Sequence, residues 1–109
     1  MTVKYQSDEF EIYNKAIDSW GISIQLDVLM EECAELIKEC SKFKRILYHG
    51  ETPNLEAIFN MVEEMVDVQV MIDQIKYGYI IRNKPDTLPW FVAKKASVLE
   101  KVSRWLEES

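Results

Sequence analysis

Five carboxylates in two short clusters are the residues of this chain best suited to chemistry. The first cluster is Glu31-Glu32-x-x-Glu35, and the second is Glu64-x-x-Asp67. Both lie in otherwise apolar segments, where a carboxylate is costly unless a positive partner satisfies it. A divalent cation is the simplest partner for several clustered acids, and such ions assist reactions of phosphate groups. The clusters therefore favour metal-dependent chemistry on a phosphate-bearing substrate.

The spacing within each cluster predicts how the acids come together. Glu32 and Glu35 are three residues apart and share one face of a helix, as do Glu64 and Asp67. If the two helices pack antiparallel, four carboxylates converge and carry a charge of about −4. Ligation by oxygen alone selects hard cations, so Mg²⁺ is the first choice and Mn²⁺ the expected substitute. The alternative is that each acid lies on a solvated stripe, which is common for a single cluster and less so for two on apolar helices.

Apolar residues that repeat at intervals of three and four predict the helices that carry these acids. The predicted helices cover residues 7–20, 23–47, 55–77 and 89–107. Ser7 is the expected N-cap of the first helix, Gly21 ends it, and Asn54 caps the third. Residues 48–54 and 79–88 are predicted loops. We therefore expect an all-α, four-helix bundle-like domain that spans residues 1–109.

Two of the predicted helices carry apolar surface that must be covered. The third is apolar over most of its circumference, which favours a central position and a subunit interface. We therefore expect a homodimer or a homotetramer. The fourth carries a stripe that we expect to be buried, and Lys95 falls within that stripe.

Composition limits the class of partner. The net charge of −6 argues against a nucleic-acid polymer, because phosphate backbones attract basic faces. The stretch MTVKYQSDEF is polar, and no apolar run reaches transmembrane length, so we expect neither a signal peptide nor a membrane partner. Cys33 and Cys40 lie seven residues apart on one predicted helix, roughly 10 Å between Cα atoms, which is too far for a disulfide within the helix. They favour a reducing, cytoplasmic location. The alternative is a bridge between subunits.

The two acid clusters, separated by 28 residues, resemble the signature of the MazG-like all-α nucleoside triphosphate pyrophosphohydrolase superfamily. The stretch from Trp20-Gly21 into LMEECAELIKE, and EEMVDVQVMIDQI in the third helix, resemble phage and bacterial members. The resemblance covers residues 16–106. It implies Mg²⁺-dependent hydrolysis of a (deoxy)nucleoside triphosphate between the α and β phosphates, which yields the monophosphate and pyrophosphate.

The resemblance also implies roles for individual acids. By motif, the Mg²⁺ ligands are Glu32, Glu35, Glu64 and Asp67. Glu31, the first acid of the EExxE motif, orients or deprotonates the attacking water. The alternative for Glu31 is a solvated side chain, because it projects about 100° away from Glu32 around the helix.

Three further side chains are candidates for substrate binding. Lys95 on a buried stripe needs a partner, which a triphosphate or a site carboxylate would supply, and its alternative is to extend to solvent at the bundle end. Trp20 is a candidate for stacking on a base, and Gln25 for reading the base edge by hydrogen bonds. For Trp20 the alternative is ordinary core or interface packing.

Other functions remain open. A non-catalytic helical interaction module would carry the same acids as a solvated or partner-facing stripe. Within the superfamily, the specificity could instead be dUTPase-like or that of a phosphoribosyl-ATP pyrophosphohydrolase. A di-iron carboxylate bundle is disfavoured, because it needs Glu-x-x-His pairs and the only histidine is His49 in a predicted loop.

Overall fold

The computed structural model describes the backbone of residues 2–109 and the side chains from residue 8 onward. The helices are α1 (Thr2–Trp20), α2 (Ile22–Tyr48), α3 (Leu55–Ile75) and α4 (Leu88–Glu108). Residues 2–109 contain no strand. The prediction of an all-α chain with four helices is confirmed.

The chain divides into two compact units, Met1–Tyr79 and Ile80–Ser109. The first unit holds α1, α2 and α3, and the second holds α4 preceded by the short 3₁₀ helix Pro85–Thr87. The single domain expected over residues 1–109 stays a prediction. Among residues 2–109 no helix is both long enough and apolar enough to cross a bilayer.

Helix α3 is the central helix of the first unit, because it packs against α2 and against α1 more extensively than α1 and α2 pack against each other. Apolar side chains of α1 and α3 form its core: Tyr13, Ala16, Ile17, Val68, Met71 and Ile75. The central position predicted for this helix is therefore confirmed within the first unit.

Local signals set the helix ends of the first unit. Gly21 adopts φ 82°, a left-handed conformation that glycine tolerates, and it separates α1 from α2 as predicted. The side-chain oxygen of Asn54 accepts a hydrogen bond of 2.8 Å from the backbone N–H of Ala57, so the predicted cap of α3 is confirmed. Residues 49–54 connect α2 to α3.

Two predicted boundaries were wrong. The first helix begins at Thr2, so Ser7 lies inside it and is not its N-cap. No proline or glycine precedes Ser7, so nothing in the local sequence prevents the helix from extending further back. The predicted loop 79–88 is largely helical, since α3 continues as the π-helix Lys76–Ile81 before the 3₁₀ helix.

The helix continues through Gly78, the residue that directly follows the third predicted helix at 55–77. Its φ is not positive, so it does not act as a left-handed helix stop. A Cβ atom at Gly78 would lie 2.7 Å from the carbonyl oxygen of Tyr13 and 2.9 Å from the side chain of Ile17. The glycine therefore lets the π-helix approach α1 closely.

The expectation of a buried stripe on α4 was also wrong. Among residues Leu88–Glu108 none is buried, and Val98, Leu99 and Trp105 are exposed. Besides α4, residues 84–109 form only a 3₁₀ helix of three residues, which is too short to cover a helix of 21 residues. Within the second unit, the apolar side chains of α4 therefore remain accessible.

Candidate metal centre

Three of the predicted acids converge between α2 and α3. Carboxylate oxygens of Glu32, Glu64 and Asp67 all lie within 4.8 Å of one another. Glu32 comes from α2 and the other two come from α3, so the group depends on the packing of the two helices. The donor set consists of carboxylate oxygens alone, which is the set that hard divalent cations prefer.

Two contacts define how α2 and α3 align. Gln74 donates a side-chain hydrogen bond to Gln25, and seven residues further along α2 Glu32 contacts Asp67, which lies seven residues earlier on α3. A step toward the C terminus on one helix is therefore matched by an equal step toward the N terminus on the other. The helices are antiparallel, as the convergence of the acids required.

Glu64 carries the clearest sign of a missing partner. Its Oε2 atom is buried and has no hydrogen-bond partner among the side chains that the structure describes. Burying a carboxylate oxygen without a partner is unfavourable, and native proteins rarely leave such an atom unsatisfied. A cation among the three carboxylates would satisfy it.

Burial and mutual repulsion make two of the acids weaker. Burial, followed by the negative charge of Asp67, raises the pKa of Glu32 above its ordinary value. Burial, followed by the charges of Glu32 and Asp67, raises the pKa of Glu64 in the same direction. Carboxylates that resist ionisation next to one another are stabilised as anions by a bound cation. The electrostatics thus agree with the donor set.

Glu35 and Glu31 lie outside this group of three. Glu35 is exposed, and its charge contributes to the raised pKa of both Glu32 and Glu64, so it lies near enough to interact with them. Glu31 is exposed on α2, at the position adjacent to Glu32. Their roles as ligand and base stay predictions.

Of the candidate base-binding residues, Trp20 is the last residue of α1, and Gln25 lies on α2 two turns before Glu32. Trp20 is 60% exposed and borders a groove of about 280 Å³ together with residues of α1 and with Gln74 of α3. Gln25 is only 2% exposed, and its side-chain oxygen accepts the hydrogen bond from Gln74. Gln74 is therefore the amide that borders the groove in this structure.

Lys95 belongs to the second unit and is exposed on α4. The premise that it lies on a buried stripe was wrong, because none of the described residues of α4 is buried. Its contact with substrate stays a prediction.

Sequence reasoning missed Gln74. The signal was present in the spacing: Gln74 follows Asp67 by seven residues, and Gln25 precedes Glu32 by the same interval. Seven residues are about two helical turns, so each glutamine lies on nearly the same face as the acid it accompanies.

Comparison with family models, with curated proteins and with solved structures found no match for this chain.

Proposed function

We propose that this protein is a Mg²⁺-dependent nucleoside triphosphate pyrophosphohydrolase. The observation that carries the proposal is the convergence of Glu32, Glu64 and Asp67 from two antiparallel helices, with one carboxylate oxygen of Glu64 buried and unpartnered. Acids on a merely solvated stripe would pair with water or with basic side chains. The resemblance of the two motifs to the MazG-like superfamily supplies the reaction class.

Each acid has a role in this proposal. Glu32, Glu64 and Asp67 hold the cation, and Glu35 joins them from the next turn of α2. When bound, Mg²⁺ supplies positive charge to the phosphate oxygens and favours ionisation of the attacking water. Glu31 is exposed beside the group, where it accepts the proton of that water. Attack at the α phosphate breaks its bond to the bridging oxygen, and pyrophosphate leaves.

The nucleoside moiety is assigned to the groove beside Trp20. The exposed indole offers a face on which a base can stack. Gln25 is proposed to hydrogen-bond the base edge, and its burial means that direct contact requires the groove to widen. Lys95 is proposed to contact the triphosphate.

Product analysis tests the proposal. Purified protein with Mg²⁺ is incubated with a panel of dNTPs and NTPs, including dUTP, and with phosphoribosyl-ATP, and the phosphate products are resolved. We expect monophosphate and pyrophosphate, with Mn²⁺ replacing Mg²⁺. In Glu64→Ala we expect the rate to fall by about 100-fold or more, because loss of a ligand costs at least as much as loss of its supporting contacts.

Glu63→Ala is the matched control, because Glu63 is an exposed acid next to Glu64 and lies outside the converging group. It should retain activity. Release of diphosphate and phosphate would contradict the bond assignment. No turnover, combined with no rise in melting temperature on addition of Mg²⁺, would favour the interaction module.

A further inference from the structure

A buried pair of amides lies where α2 packs against α3. Gln25 and Gln74 are 2% and 7% exposed, and the side-chain nitrogen of Gln74 donates to the side-chain oxygen of Gln25. The same nitrogen lies 3.7 Å from the sulfur of Met71. Met71 is itself buried, so the amide of Gln74 has an apolar neighbour on its own helix.

The contact between Gln25 and Gln74 and the convergence of the acids both occur in the same alignment of α2 against α3. The residues opposite each other are Gln25 with Gln74 and, two turns away, Glu32 with Asp67. A slip of one helical turn would place Gln25 opposite Val70 or Gly78. Both amides would then lose the hydrogen bond that joins them. Burying amides without partners is unfavourable. The pair therefore penalises every alignment except the one that brings the acids together.

We infer that Gln25 and Gln74 are positioning residues that fix the register of α2 against α3 and thereby align Glu32, Glu64 and Asp67. Apolar contacts alone specify register weakly, because neighbouring turns offer similar surfaces, whereas a buried polar pair is satisfied in one alignment. The role of this register in catalysis rests on the proposed function. The register itself is inferred from the contacts between the helices and does not depend on that function.

A distance measurement tests the inference without metal or substrate. Spin labels are attached at Lys44→Cys and Gln69→Cys, both exposed positions, in a background of Cys33→Ser and Cys40→Ser. The labelled protein is diluted with unlabelled protein, so that only distances within one chain are read. With the native amides we expect a single narrow distance.

The double variant Gln25→Met/Gln74→Met removes both amides while retaining side-chain length. We expect it to fold and to show a second distance, displaced by about 5 Å along the helix axis, which corresponds to one turn. An unchanged narrow distance would overturn the inference. Failure of the double variant to fold would also overturn it, because the pair would then serve stability instead of the choice of register.

Conservative and single variants sharpen the result. Gln25→Glu keeps an oxygen that accepts from Gln74 and should retain the narrow distance. Each single methionine variant leaves one buried amide without its hydrogen-bond partner. Its melting temperature should therefore be lower than that of the double variant. A double variant that melts no higher than both singles would contradict this account.

Metal binding is the separate readout for the proposed function. In the labelled parent we expect Mg²⁺ to raise the melting temperature, and in the double methionine variant the Mg²⁺ affinity should fall about tenfold or more. A parent that does not bind Mg²⁺ would contradict the proposed function and leave the distance result standing. Equal Mg²⁺ affinity in parent and double variant would overturn the positioning role.

Discussion

At the scale of single residues, the acids differ in what surrounds them. Glu32 and Glu64 are partly buried beside like charges, whereas Glu31, Glu35 and Asp67 are exposed. A carboxylate whose ionised form is destabilised by burial and by like charges is stabilised most by a bound cation. A group that accepts a proton from water benefits from access to solvent. The proposed division of roles follows these environments for Glu31, Glu32 and Glu64, whereas Glu35 and Asp67 are proposed as ligands although they are exposed.

Glu31 provides a test of that division. In Glu31→Gln we expect the rate of hydrolysis to fall by roughly 10²- to 10⁴-fold, because a general base is lost. The Mg²⁺-induced rise in melting temperature should persist, since the converging carboxylates remain. Steady-state kinetics and thermal melts measure the two effects. Asp27→Asn, at another exposed acid of α2, is the control, and equal activity in both variants would remove Glu31 from the mechanism.

The raised pKa of Glu32 predicts a pH dependence of stability in the absence of metal. A carboxyl group whose pKa is higher in the folded state binds its proton more tightly there than in the unfolded chain. The free energy of unfolding should therefore fall as pH rises from the ordinary value of 4.5 toward the raised one. Chemical denaturation of the wild type and of Glu32→Gln across this interval isolates the contribution.

Addition of Mg²⁺ should reverse that loss at higher pH, where the carboxylates are ionised and bind the cation. A difference between wild type and Glu32→Gln that does not change with pH would contradict the raised pKa.

At the scale of helices, some helix ends are set by local sequence and others by packing against a distant helix. Asn54 and Gly21 act as predicted, because a capping side chain and a left-handed glycine are local signals. Gly78 directly follows the third predicted helix, residues 55–77, but its role depends on α1, which lies more than fifty residues earlier in the chain. No local pattern distinguishes a glycine that ends a helix from one that admits a neighbour.

Gly78→Ala tests the close approach of the π-helix to α1. The new methyl group would meet the backbone of Tyr13, so we expect a loss of roughly 1–3 kcal/mol in the free energy of unfolding. Urea denaturation measures it. Gly50→Asn is the control, because Gly50 has open space around it and asparagine tolerates its left-handed φ of 74°. A stable Gly78→Ala variant would refute the close approach.

The candidate site shows the same division between local and distant information. The spacing of the acids, combined with the assumption of antiparallel helices, predicted the convergence of four carboxylates. Three of them converge, namely Glu32, Glu64 and Asp67, and Glu35 lies outside the group. The pairing of Gln25 with Gln74 was not foreseen, since it joins residues 49 positions apart through contacts that no single helix contains.

At the scale of the whole molecule, the chain leaves much apolar surface uncovered. On α3, Leu55 is 84% and Phe59 is 65% exposed, and Val62 and Val66 continue the same face. Their spacing of three and four residues makes a continuous stripe along the helix. Stripes of this kind are typical of subunit interfaces, which supports the proposed homodimer or homotetramer.

Light scattering tests the proposed assembly. We expect a mass of two or four times the 12.8 kDa of one chain. Phe59→Asp should lower the mass toward that of the monomer, because a charge in an apolar interface is costly. Ser41→Asp places the same charge on an exposed position of α2 and should leave the mass unchanged. A wild-type mass of one chain would contradict the proposal.

The antiparallel hairpin of α2 and α3 has a consequence for changes in chain length. One residue inserted between Gln25 and Glu32, or between Asp67 and Gln74, would rotate the glutamine of that helix by about 100° relative to its acid. The amide pair and the acids could then no longer both align. Residues inserted in the connection at 49–54 would leave both intervals intact. We therefore expect tags and labels to be tolerated in the connection and to disrupt the site when inserted in either seven-residue interval.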